Sequence, residues 1–288
     1  MLARKGRLVA ADAGKAGEDS ISRIQDLTLR SSTGLEVHAL LRAPKAGAPR
    51  APAAVLLGGI ERGRRIAIAA GLDGIARQAV IVSADYPLEV GPQIWEGLGM
   101  LSLLPRVRSA AFDSVAQTLL LLDYLEGRAD VDPGRLFLVG SSMGAPVVTV
   151  AGGIDRRPAA VIVLYGGGRL AGLIAHTLEH PAQPRPYPHW AAVLTGHTLT
   201  WLFAPLAPER YAPAIAPRRF LMINGGGDTL VPRDSVLALY DAARPPKELI
   251  WIEGEHIQPD EAALIAQVGS VIVGWLEQHG VLAIGRTP

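Results

Sequence analysis

Three residues, far apart in the chain, are of types that could do chemistry together. Ser142 sits at the centre of Gly140-Ser141-Ser142-Met143-Gly144, with glycines placed symmetrically on either side. Asp228 follows three glycines in Asn224-Gly225-Gly226-Gly227-Asp228-Thr229-Leu230-Val231-Pro232, and His256 closes Glu253-Gly254-Glu255-His256. A serine hydroxyl is a poor nucleophile alone; it needs a base, and the base needs an acid that orients it. The chain order serine, carboxylate, histidine is the one expected when each group leaves a successive strand of one sheet. Each residue also has a plainer reading. Ser142 fits a glycine-rich turn, Asp228 a turn-forming aspartate, and His256 a capping or surface histidine. Their joint occurrence is more specific than any one of them.

Apolar runs of strand length alternate with segments of helical period. Residues 24–32 and 35–43, around Thr33-Gly34, read as a hairpin, and residues 53–57 as a buried strand ending at Gly58-Gly59. A helix is expected over 66–78, a strand over 80–84, a loop with Trp95, and an amphipathic helix over 110–126. Strand 136–139 enters the Ser142 turn and helix 144–151 leaves it. Pro146 falls in that helix's first turn, where its missing N–H costs nothing. Strands follow at 159–164, 220–223 and 249–252, with helices at 234–243 and 260–279. Strands that are apolar along their whole length argue for a parallel sheet covered on both faces, and the opening hairpin would add antiparallel strands at one edge. Ser142, Asp228 and His256 then leave strand ends on the same edge of the sheet.

The alternation breaks at residues 168–217, a stretch too long for a simple crossover. It reads as two or three short helices forming a small cap over the edge where ligands bind in such sheets. Tyr187, Trp190, Trp201 and Phe203 would line a substrate pocket there, or bury the cap's underside. Residues 1–20 read as a flexible lead-in and residues 21–288 as a single domain. An oxyanion hole needs two preorganised N–H donors, each worth about 3 kcal/mol in the barrier. Met143 N–H is one candidate, and Ile60 N–H, in Gly58-Gly59-Ile60, is the other.

With these residues in place, the chain resembles serine hydrolases of the α/β-hydrolase fold over about residues 50–280. It is most similar to the dienelactone-hydrolase-like and acetyl-xylan-esterase-like branch. The segment PERYAPAIAPRRFLMINGGGDTLVP, from Pro208, resembles the part of that family that carries the acid. The resemblance implies a triad of Ser142, Asp228 and His256, ester hydrolysis and no cofactor. Two features depart from the family. Many members carry His-Gly where this chain has Gly58-Gly59. Dienelactone hydrolases use a cysteine nucleophile, and this chain has none, so dienelactone is not carried over as substrate.

Composition narrows the field further. The 288 residues are 49% hydrophobic, enough for a sizeable core, and 19% charged with a net charge of +1. That balance gives no electrostatic footprint of a nucleic-acid partner. The absence of cysteine rules out disulfides, thiolate metal sites and a cysteine nucleophile. His176, His180, His189 and His197 follow no compact ligand spacing, so no metal is expected. Glu253 and Asp260 are rival acids on the histidine's own strand exit, and His279 lies late in the last helix. Arg62, Arg64 and Arg65 read as a solvated helix start, or as partners of an anionic substrate tail. No run is long and apolar enough for a membrane span or a signal peptide. A cytoplasmic location is the default expectation, with a mature secreted form left open.

The expected activity is that of a carboxylesterase on short- to medium-chain acyl or aryl esters of small molecules, in an unspecified oligomeric state. An acyl-CoA thioesterase or acyltransferase using the same triad is the alternative. A non-catalytic binding module of the same fold is the second alternative.

Overall fold

A computed structural model describes residues 1–45, 50–59, 61–69, 71–87, 99–180, 187–258 and 260–283. The chain opens with a one-turn helix, α1 (Leu2–Lys5), and three strands, β1 (Leu8–Glu18), β2 (Ser22–Ser31) and β3 (Glu36–Pro44). β4 (Ala51–Leu57) leads through a short 3-10 helix (Gly63–Ile68) and α2 (Asp73–Ala76) into β5 (Val80–Ala84). Then come α3 (Gly99–Glu126), β6 (Val131–Ser141), α4 (Gly144–Ile154) and β7 (Ala160–Leu164). Helices α5 (Leu170–Glu179) and α6 (His189–Phe203) and three 3-10 turns between Ala204 and Ala214 precede β8 (Arg219–Gly225). α7 (Arg233–Ala242), β9 (Lys247–Ile252) and α8 (Ala262–Gln278) complete the chain.

Among the described residues, nine strands form one sheet in the order β1-β2-β3-β5-β4-β6-β7-β8-β9. β1, β2, β3 and β5 pair antiparallel, and every pairing from β5 across to β9 is parallel. Strands β4, β5 and β7 are buried at every position, as strands covered on both faces must be. Alternate residues face two separate apolar layers. Val55, Leu57 and Leu138 join α3, α4 and α7 on one face. Leu56, Phe137 and Val139 join the 3-10 helix, α2 and α8 on the other.

The expected flexible lead-in over 1–20 is replaced by ordered structure, because β1 pairs with β2 along most of its length. Its side chains are almost all exposed, so it carries no apolar period that a sequence reading could detect. Backbone hydrogen bonds hold it, and ion pairs of Arg4 with Asp113 and of Lys5 with Asp123 fasten α1 to α3. α3 begins at Gly99, well before the expected start at Ala110, and runs through Pro105. The loop expected around Trp95 lies outside the described residues.

The expected helix over 66–78 is also broken, and Gly71 explains why. Gly71 has φ +89°, and a Cβ there would lie 2.7 Å from the Ala266 nitrogen in α8. The chain therefore turns at Gly71 against α8 instead of continuing as a helix. Arg42, buried in β3, secures the same segment from the other side by donating to Asp73 in α2, and also to Asp19 and Ser22. Because Gly71→Ala combines a disfavoured φ with a backbone clash, it should lower the unfolding free energy by about 2–3 kcal/mol. Urea denaturation measures this, and a loss below about 0.5 kcal/mol would mean that the contact relaxes freely.

Candidate active site

β6 delivers the chain to Ser142 and α4 carries it away. Ser142 has φ 52°, in the left-handed region that costs a non-glycine residue on the order of 1–3 kcal/mol. Its N–H donates to the Leu164 carbonyl of β7 at 2.9 Å, and its carbonyl accepts from Ala145 N–H at 3.0 Å. The flanking glycines are required by close approach. A Cβ on Gly140 would lie 2.4 Å from the Gly144 carbonyl oxygen, and one on Gly144 would lie 2.4 Å from the Leu57 carbonyl oxygen. Helix α4 thus presses its first turn onto β4, with its positive end at Ser142.

The Ser142 Oγ lies 3.1 Å from His256 Nε2, and His256 Nδ1 lies 2.8 Å from Asp228 Oδ2. An ionised carboxylate only accepts, so Nδ1 carries the proton and Nε2 is left to accept from the serine hydroxyl. The Asp228 side chain is 2% exposed and that of His256 10%. The other oxygen, Asp228 Oδ1, accepts from Leu230 N–H at 2.8 Å and Val231 N–H at 2.9 Å. These two bonds fix the carboxylate's orientation. Gln258 Nε2 donates to the His256 carbonyl at 3.1 Å, bracing the loop that carries the imidazole. The rival acids Glu253 and Asp260 are exposed, and His279 bonds instead to the Trp275 carbonyl.

Two tyrosines that the sequence reading did not single out support this site. Tyr165, directly after β7, packs edge-on against the His256 ring with centroids 5.4 Å apart. Burial pushes its phenol up to about 12, reinforced by the charges of Asp228 and Glu261. Its hydroxyl is buried with no hydrogen-bond partner among the described residues. Tyr86, two residues after β5, donates to the Gly58 carbonyl at 2.6 Å, and burial holds its phenol well above the usual range. Beside it, Asp85 Oδ1 accepts from Arg64 N–H at 2.8 Å. The Asp85-Tyr86 pair therefore clamps the loop after β4. The available signal was the strand pairing: β5 neighbours β4, so the residue leaving β5 reaches the loop leaving β4. Of the expected oxyanion donors, Met143 stands at the amino end of α4 and Ile60 lies outside the described residues.

A cavity of about 290 Å³ opens beside Ser142 and His256. Gly59, Met143, Leu164 and Ile257 are among its lining residues, together with Ile75 of α2 and Ile265, Val268 and Ile272 of α8. Tyr187, Trp190, Trp201 and Phe203 are not among the described residues that line it. Trp190 is 71% exposed and Trp201 79%, while Tyr187 is also exposed and Phe203 packs against the α3–α4 layer. The reason lies in α6. It turns Ala192 and Gly196 inward, and Gly196 approaches the Ala171 carbonyl of α5 so closely that a Cβ would lie 2.4 Å away. Small residues make that contact and the tryptophans face outward. The insertion still touches the acid loop, where His176 Nε2 donates to the Thr229 carbonyl at 2.7 Å.

Comparison with known proteins agrees with this architecture. A family model described as serine hydrolase (FSH1) matches residues 159–268, a span that includes Asp228 and His256 but not Ser142. The uncharacterized protein YfhR of Escherichia coli (strain K12) is 29% identical over 138 residues, 47% of this chain and 43% of YfhR. The match thus spans less than half the length of that relative. Acetyl xylan esterase 1 from Thermoanaerobacterium sp. JW/SL YS485 superposes with a TM-score of 0.65 at 16% identity, over 91% of this chain and 87% of that one. A cold-adapted esterase from an Arctic intertidal metagenomic library gives 0.59 at 16% identity, over 94% and 99%. The chain has the α/β-hydrolase fold.

Removing the base should slow phosphonylation of Ser142 by a fluorophosphonate probe, so His256→Ala is expected to label at least about 100-fold more slowly. Tyr86→Phe should label about tenfold more slowly, because a loosened loop weakens the preorganised donors. Time-resolved intact mass gives both rates. Wild-type labelling in Tyr86→Phe would remove the clamp from the site.

Proposed function

We propose that this chain is a serine carboxylesterase acting on short- to medium-chain acyl or aryl esters of small molecules. The observation that carries the reading is the unbroken hydrogen-bonded line from Ser142 through His256 to Asp228 at 3.1 and 2.8 Å. Ser142 Oγ attacks the ester carbonyl carbon as His256 Nε2 takes the hydroxyl proton. Asp228 holds the imidazole in the required tautomer and stabilises the imidazolium. The N–H groups of Met143 and Ile60 bind the oxyanion that develops. Collapse breaks the bond to the alcohol oxygen, which leaves with the proton from Nε2. Water then attacks the acyl-enzyme and gives its proton to Nε2. A second collapse releases the acid and restores the Ser142 hydroxyl. Every proton is passed between named groups, so the cycle calls for no cofactor.

The alternative of a CoA thioester as acyl donor draws less support. Its phosphates would need several cations near the site; Arg64 is engaged with Asp85 and Asp26, which leaves Arg62 among the residues lining the cavity. A binding module without chemistry has no need of a strained Ser142 aligned with a buried His–Asp pair.

Fluorophosphonate labelling of wild type and Ser142→Ala, read by intact mass, tests the proposal. One adduct on the wild type and none on the variant is the expected result. A folded wild type that takes up no probe and hydrolyses no p-nitrophenyl ester would overturn it.

A further inference from the structure

The cavity beside Ser142 has a chemistry of its own. Its depth is formed by Leu72 and Ile75 on one side and by Val268 and Ile272 of α8 on the other, all buried and all apolar. Its polar groups lie at the mouth, where Ser142 and His256 meet Glu61, Arg62 and Gln258. It belongs to the α2–α8 layer of the molecule, whereas the α5–α6 insertion packs partly on the opposite layer. At about 290 Å³ it offers the space of roughly ten waters, yet its depth has no polar group to hold them. An acetyl group would leave nearly all of it unfilled.

Resting on the esterase reading, we infer that this cavity is the acyl subsite and that it selects apolar acyl chains of medium length over acetyl. The acyl group is the part of an ester that stays bonded to Ser142 while water attacks, whereas the alcohol must depart past His256. A pocket with a buried, apolar end suits the part that stays. The two walls are also held at a fixed spacing. Gly71 and Gly269 bring the segment before α2 directly onto α8, so that a Cβ on Gly269 would lie 2.7 Å from the Gly71 oxygen. That backbone contact fixes the spacing of the two walls, which cannot move apart without separating the two segments. Burial of each added methylene is worth about 0.8 kcal/mol, so kcat/KM should rise roughly three- to fourfold per methylene until the slot is full.

The test is a series of p-nitrophenyl esters from acetyl to decanoyl, with a parallel series of acetates of lengthening alcohols. The expected result is a maximum between butanoyl and octanoyl, at least about tenfold above acetyl, and a flat alcohol series. Val268→Phe fills the slot and should lower the octanoyl-to-acetyl ratio of kcat/KM at least about tenfold. Ile272→Ala, at the buried end, lengthens the slot and should raise the decanoyl-to-octanoyl ratio. Fluorophosphonate labelling of each variant shows that its site is assembled, and the opposite signs of the two shifts separate pocket shape from general damage. A labelled enzyme that prefers acetyl, responds to the alcohol instead of the acyl chain, or keeps its ratios in both labelled variants overturns the subsite and leaves the esterase reading standing. A folded wild type that neither labels nor hydrolyses any ester defeats the esterase reading, and the subsite with it.

Discussion

The left-handed turn at Ser142 is the constraint on which the other parts of the site depend. A serine held at φ 52° is costly, and only its surroundings keep it there. Those surroundings are backbone. The Leu164 carbonyl of β7 holds the Ser142 N–H, and α4 rests on β4 so closely that no side chain fits at Gly144. The turn is thus set by the spacing of β4, β6 and β7 in the sheet. Since that spacing is stiff, the hydroxyl is presented in one place, and the base and acid can be positioned against a fixed point.

Asp228 and His256 reach that point because β8 and β9 continue the parallel sheet in register. The two loops carry rigid supports of their own. Leu230 and Val231 N–H orient the carboxylate, and Tyr165 stands against the imidazole. On the other side of Ser142, the loop after β4 is anchored by Tyr86 and Asp85. Each of these loops thus leaves a strand and is held by a residue from the neighbouring strand or its own loop. Such support on rigid elements keeps reacting groups within a fraction of an ångström of productive geometry.

The two faces of the sheet are used differently. Helices α3, α4 and α7 close one face. On the other, the broken segment from the 3-10 helix to α2 meets α8 through Gly71, and the cavity lies within this layer. An unbroken helix over 66–78 would have passed α8 without the close glycine contact. The break is therefore part of what shapes the cavity, and it also explains why the space lies away from the α6 aromatics.

The sequence by itself determined the parallel core, and it marked Ser142, Asp228 and His256, which the fold brings within hydrogen-bond reach of one another. Fully apolar strands such as Ala160–Leu164 admit few environments, and Ser142, Asp228 and His256 announce themselves by local glycine-rich turns at strand ends. Those signals are local, so they survive without coordinates. Tertiary structure alone decided the rest. β1 is ordered by backbone pairing with exposed side chains, which leaves no hydrophobic period to read. The turn at Gly71 is dictated by α8, almost two hundred residues away. Trp190 and Trp201 face outward because Gly196 permits a closer approach to α5 than any aromatic side would. Tyr86 matters through the Gly58 carbonyl in the loop that leaves the adjacent strand. In each case the deciding contact involves backbone, and composition and periodicity do not encode which segment will supply it.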